Sequence, residues 1–208
     1  MSGSQLPSTS ASDPVWIFAY GSLMWQPGFA HDEALPARLH GYHRALCIYS
    51  VYHRGTAERP GLVLGLDRGG SCRGWAFRVE RAREAEVLAY LDARELVTDV
   101  YQRRRLPLTT ARGRLTAWCY VVRRDHVQYA GKLDELRVLE LVRHGAGRSG
   151  RNSDYVVSTV RHLEEMGIAD GPLHALAKGL SFQATAEGQG EVSFPTRASP
   201  ACRSRGLR

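Results

Sequence analysis

Lysine is nearly absent from this sequence. Only Lys132 and Lys178 occur, so the formal net charge of +7 is carried almost entirely by arginine. The arginines are scattered, with their densest runs at Arg103-Arg104-Arg105 and in the tail at Arg197, Arg203, Arg205 and Arg208. No basic helix interleaved with aromatics, no zinc-finger spacing and no RNA-binding signature accompanies them, so the charge does not by itself select nucleic acid over an anionic surface or a small acidic substrate. Paired cysteines are missing as well. Cys47, Cys72, Cys119 and Cys202 lie far apart with no CxxC, which suits a reduced, cytoplasmic protein better than a disulfide framework. No apolar run approaches membrane-spanning length, and the opening MSGSQLPSTSASD lacks the apolar core of a signal peptide. A membrane partner and a nucleic-acid partner are therefore not expected.

What is present is a folded middle between soft ends. Residues 1–13 are Ser-rich and polar, and residues 181–208 mix Gly, Ser, Pro, Ala and Arg with little periodicity, so both ends read as disordered and the working domain as 14–180. Strand-like segments recur at 15–20, 45–51, 61–67, 73–79 and 115–122, and helical segments near 81–97, 133–144 and 153–166. The last helix is expected to start at Asn152 or Ser153 as N-cap and to stop at Gly167. Strands before and after one helix indicate an α+β fold built on a small barrel or curled sheet.

Two places carry chemistry. In VWIFAYGSLMW, Val15 to Trp25, a strand-like run breaks at Gly21-Ser22, and the backbone amides of the resulting turn are free to form a small anion-binding concavity, with Gly21 expected to supply a positive φ. In RAREAEVLAYLDAREL, helical spacing places Glu95 between Leu88 and Leu91 on the apolar stripe, while Glu86 and Arg94 point away. A carboxylate on such a stripe is desolvated, which raises its pKa and suits it to proton transfer. Escape to solvent, or pairing with an arginine such as Arg103, is the structural alternative.

Other patterns are weaker. Gly145-Ala-Gly147-Arg-Ser-Gly150 matches GxGxxG but follows a helix rather than a strand, so the dinucleotide fingerprint lacks its context. His40, His43 and Cys47 form HxxHxxxC, yet the pattern runs into a strand and its side chains need not converge on a metal. Ser50 to Thr56, with Tyr52, His53 and Arg54, places polar and cationic groups at a strand end, where ligand contacts are common.

Tyr20-Gly-Ser-Leu23, Arg54-Gly-Thr, Pro60-Gly-Leu-Val-Leu-Gly-Leu, Tyr90-Leu-Asp-Ala-Arg-Glu95 and Ser149-Gly-Arg-Asn-Ser-Asp-Tyr155, in that order, closely resemble the ChaC-like γ-glutamylcyclotransferases. The resemblance implies the small γ-glutamylcyclotransferase-like β-barrel with flanking helices, no metal or organic cofactor, and cleavage of glutathione to 5-oxoproline and cysteinylglycine. It implies that Tyr20, Gly21, Ser22 and Leu23 hold the γ-glutamyl end of the substrate and that Glu95 is the catalytic carboxylate. A second carboxylate linked to activity in some relatives matches Glu86, which the helix phase directs away from Glu95 and which is left out. Tyr20, Tyr52 and Tyr101 are the candidate donors to the developing oxyanion, and Arg54 the candidate partner of a substrate carboxylate.

Two other readings compete. One is an enzyme of the same fold acting on other γ-glutamyl amino acids or γ-glutamyl amines, since the loop and Glu95 see only the γ-glutamyl end. The other is a non-catalytic basic binding module whose DNA affinity falls steeply with salt. Nothing in the sequence defines the oligomeric state. If Arg54 binds a substrate carboxylate, Arg54→Ala raises KM much more than it lowers kcat; steady-state kinetics showing the opposite pattern removes the assignment.

Overall fold

The computed structural model describes residues 14–188. The apolar run that opens this region forms β1 (Val15–Ala19), which is paired on both edges: antiparallel to β3 (Gly61–Val79) and, at Ile17 opposite Trp118, parallel to β5 (Gly113–Val122). β2 (Glu33–Ser50) runs antiparallel to β3 from Glu33 opposite Arg78 to Ser50 opposite Gly61, and β4 (Tyr101–Thr110) joins β2 to β5. The result is a closed barrel in the order β1-β3-β2-β4-β5, which leaves β1 without the exposed edge that such an apolar strand would otherwise present. Ile17, Phe18, Leu39, Leu66, Leu108 and Cys119 are almost completely buried in its core.

α1 (Glu84–Glu95) follows a short 3-10 turn at Arg81–Arg83 and buries Val87, Leu88 and Leu91. α2 (Glu135–His144) is capped by Asp134, whose carboxylate accepts the Arg137 amide at 2.9 Å. A small hairpin, β6 (Ala146–Gly147) with β7 (Gly150–Arg151), leads into α3 (Asn152–Glu165), and α4 (Gly171–Gly188) packs on α2 and α3. Among the described residues no helix is long and apolar enough to cross a membrane.

Several expectations are corrected. The segments 61–67 and 73–79 are one strand, because the turn-like Asp67-Arg-Gly-Gly-Ser71 lies opposite a register shift between His40 and Tyr42 instead of reversing the chain. β2 begins at Glu33, well before residue 45, and β4 is an additional strand whose polar residues, three arginines included, mostly face outward. The cap of α3 is Arg151, with no side-chain bond; Asn152 is instead the first helical residue, fully buried, and its amide donates to Leu62 O at 2.8 Å and accepts from Leu62 N at 2.6 Å. The C-terminal signal holds, with Gly167 at φ 65° and its amide bonded to Glu164 O. Residues 181–188, assigned to the tail from composition, form the end of α4, whose Gly171-Pro172 is compatible with a helix start where a missing N–H costs nothing. The stretches 1–13 and 189–208, expected to be disordered, lie outside the described residues.

Arg44 of β2 ties barrel to helices. Its side chain is only 3% exposed, and its guanidinium donates to Tyr20 O (2.6 Å), Arg73 O (2.7 Å) and Asp170 Oδ2 (2.9 Å). Removing one partner of a buried pair leaves the other desolvated and uncompensated. Arg44→Met is expected to lower the unfolding free energy by roughly 3–5 kcal/mol in urea titration; a loss below about 1 kcal/mol, the range of exposed pairs, would contradict this role.

Candidate active site

Where β1 ends, the Tyr20 carbonyl is held by Arg44 and the chain enters a 3-10 turn at Ser22–Met24, with Met24 N bonded to Gly21 O and Gln26 N to Ser22 O, both at 2.8 Å. The amides of Gly21, Ser22 and Leu23 have no protein acceptor among the described residues, as expected for the first amides of a helical turn. Gly21 has φ −137°, so the expected positive φ is corrected. A Cβ there would meet only Leu64 Cδ1, at an ordinary 3.7 Å. Packing therefore does not require glycine, and what its bareness provides is an uncovered backbone.

Glu95 ends α1, as its helical phase predicts on the face of Leu88 and Leu91, and its side chain is 19% exposed. Burial pushes the carboxyl above its usual range, and the charge and hydrogen bond of Arg94 pull against that rise. Arg103 is not its partner: that guanidinium donates to Asp92 Oδ2 at 2.5 Å, and Asp92 also accepts the Tyr120 hydroxyl at 2.6 Å. Glu86 is exposed and paired with Arg83, on the outward side of the helix.

Arg94 is the residue that helical phase alone misplaces. Its backbone position faces away from the stripe, yet the long side chain returns, with Nε 3.2 Å from Glu95 Oε1 and terminal nitrogens donating to Ser22 Oγ (2.8 Å), Gln26 O (3.0 Å) and the Tyr90 hydroxyl (3.3 Å). The carboxylate and the amide-bearing loop are thus fastened to one guanidinium.

Three tyrosines complete the group. Burial, reinforced by interaction with the Glu95 carboxylate, raises the phenols of Tyr20 and Tyr101 well above the usual value. Tyr155 of α3 is pushed up to about 12, first by burial, with Glu95 adding to the rise and the Leu64 amide and Arg54 opposing it. All three therefore remain protonated donors at neutral pH. Tyr101 donates to Leu64 O at 2.6 Å, and the Tyr155 oxygen accepts from Leu64 N at 3.3 Å, so the two phenols flank one residue of β3. Tyr155 was absent from the expected donors, although it closes the Ser149–Tyr155 motif.

The remaining candidates lie along the neighbouring loop. Tyr52 is exposed, and its hydroxyl accepts from Arg148 at 2.5 Å, so its contacts lie outside the tyrosine group around Glu95. Arg54 stands over the Tyr155 ring at 5.2 Å and donates to Ser149 O at 2.5 Å. The GxGxxG stretch serves packing: Arg148 and Ser149 amides donate to Tyr52 O and His53 O, and a Cβ on Gly147 would lie 2.5 Å from Tyr52 O. His40, His43 and Cys47 are strung along β2, His40 exposed, Cys47 buried and His43 Nδ1 beside Gly69 O at 3.1 Å. They do not converge.

The sequence profile described as "ChaC-like protein" matches residues 15–182. The chain is 34% identical over 164 residues to a glutathione-specific gamma-glutamylcyclotransferase of Escherichia coli (strain K12), covering 78% of this chain and 71% of that one. It is 33% identical over 168 residues to glutathione-specific gamma-glutamylcyclotransferase 1 of Mus musculus, covering 77% and 75%. In structure it resembles a crystallised yeast gamma-glutamyl cyclotransferase specific to glutathione, with TM-score 0.72, 22% identity and coverage of 82% and 99%, a likeness of fold.

The raised pKa of Glu95 has a consequence for stability. A carboxyl that binds its proton more tightly folded than unfolded favours the native state fully below its unfolded value, near 4.5, and loses that contribution as pH rises through the folded value. Glu95→Gln is expected to be more stable than the parent at pH 7 and to lose that advantage below about pH 4. Denaturation midpoints that differ equally at both pH values would contradict the desolvated state of Glu95.

Proposed function

This chain belongs to the ChaC-like family, and from that premise we propose that it is a glutathione-specific γ-glutamylcyclotransferase, converting glutathione to 5-oxoproline and cysteinylglycine. The observation that carries the reading is a desolvated carboxylate, Glu95, fastened through Arg94 to a loop of free backbone amides and surrounded by protonated phenols.

The reaction needs no protein nucleophile. The α-amine of the γ-glutamyl group attacks its own γ-carbonyl carbon, the new C–N bond closes a five-membered lactam, and the bond to the cysteine nitrogen breaks. Holding the substrate folded, with amine and carbonyl in contact, is the largest part of the task. The amides of Gly21, Ser22 and Leu23 receive the α-carboxylate, and the uncovered backbone at Gly21 permits close approach. Glu95 takes the proton that the ammonium must lose and returns one to the departing cysteine nitrogen. Tyr20 and Tyr155 supply O–H donors on the side where negative charge develops on the carbonyl oxygen, whereas the one hydroxyl proton of Tyr101, also expected as a donor, is given to Leu64 O. Arg54, above Tyr155, adds positive charge for the distal carboxylate of an anionic tripeptide. The buried, unpaired thiols of Cys47, Cys72 and Cys119 support a reducing, cytoplasmic setting.

The test is 5-oxoproline release followed by mass spectrometry, with glutathione and γ-glutamyl-alanine as rival substrates. Release from glutathione is expected, with kcat reduced roughly 100- to 10,000-fold in a folded Glu95→Gln variant, the range for loss of a general base. Release from γ-glutamyl-alanine alone would move the enzyme to another γ-glutamyl substrate, and release from neither would overturn the catalytic reading.

A further inference from the structure

Arg94 makes more polar contacts at the site than any role in packing requires. It sits one residue before Glu95, at the last turn of α1, where its guanidinium divides among four partners. The Nε edge faces Glu95 Oε1 at 3.2 Å, while the terminal nitrogens reach Ser22 Oγ, Gln26 O and the Tyr90 hydroxyl. The Ser22 and Gln26 contacts bracket the 3-10 turn that carries the free amides. We infer that Arg94 is a positioning residue for the reaction: it holds the Glu95 carboxylate in register with the substrate-binding loop and keeps that carboxylate charged. The inference rests on the proposed cyclotransferase reading and assigns a task to a side chain that does not itself touch the reacting atoms.

Geometry and charge make the assignment separable from structural support. The groups facing Glu95 are Arg94 from its own helix, Tyr20 from the exit of β1, Tyr101 from β4 and Tyr155 from α3. Arg94 is the one cation among them. The phenols remain neutral at working pH, so they give Glu95 no charge partner. Burial favours the protonated acid, and Arg94 alone offsets it. A planar fork is suited to a carboxylate and a loop at once, because its donors are fixed relative to one another; a lysine ammonium on a flexible stem supplies charge without that geometry.

Charge and geometry can be removed in turn. In Arg94→Gln the acidic limb of the kcat/KM–pH profile, which reports the free enzyme, moves to higher pH, and kcat at pH 7 falls by up to roughly 100-fold, the scale of a small misplacement of a catalytic group. In Arg94→Lys the acidic limb returns toward that of the parent while kcat stays reduced, because charge is restored without the tie to Ser22 and Gln26. An unmoved limb in Arg94→Gln, or full kcat in Arg94→Lys, overturns the assignment. Should Arg94→Gln not fold, the lysine variant carries the test alone through its reduced kcat. A readout independent of turnover is the titration of the Glu95 carboxyl by carbon NMR, identified by its loss in Glu95→Gln. Its midpoint rises in folded Arg94→Gln if the assignment is right and stays put if it is wrong. A parent enzyme that releases no 5-oxoproline from glutathione would remove the functional reading while leaving this titration to decide whether Arg94 governs the charge of Glu95.

Discussion

Arg44 lies almost wholly out of contact with water, and a cation there survives only because its guanidinium finds a carboxylate and two carbonyl oxygens in the directions its fork dictates. One of those oxygens belongs to Tyr20, the last residue before the amide-bearing turn. The aim of the free amides is therefore set from β2, two strands from β1 in the barrel order, and secured by Asp170 at the approach to α4. Removing the charge would leave the Tyr20 carbonyl without its buried donor and the turn without its anchor. The wall, the helical layer and the turn are in this sense one mechanical unit.

Within that unit the site has an economical distribution of protons. A half-buried carboxylate and three phenols, Tyr20 buried and Tyr101 and Tyr155 partly so, discourage one another's ionisation, since each negative charge raises the cost of the next. The carboxylate has the Arg94 guanidinium in direct contact, while Arg54 lies over the Tyr155 ring. The site consequently presents one base among phenolic hydroxyls, the arrangement that the proposed lactam closure uses when a proton leaves the amine while charge grows on the carbonyl oxygen. No metal or organic group enters this account.

Glu95 was legible in the sequence because a helix repeats every 3.6 residues and a carboxylate between two leucines is conspicuous. β1 was legible for the same kind of reason, since an apolar run bounded by Gly-Ser has few other uses. The length of β2, the existence of β4 and the continuity of β3 were not, because their outward residues are polar and their glycines imitate turns where the strands merely bulge. Arg94 escaped because helical phase describes where a side chain departs, not where a long one arrives. Tyr155 and Asn152 escaped because their partners, Leu64 and Leu62, lie about ninety residues away in the chain. Tyr52 was drawn in by its proximity to Arg54 in sequence, whereas in space it turns to Arg148.

The closure of β1 against β5 also fixes the order in which the molecule can be made. Ile17 must wait for Trp118, Leu62 for Asn152, and Arg44 for Asp170, a separation of 126 residues. Contacts so distant reward the chain only after long loops have been closed. During synthesis the turn at Ser22 emerges early, whereas the Asp170 carboxylate that completes its Arg44 anchor emerges late. The turn thus reaches its anchored form only when residues on both sides of the domain are present.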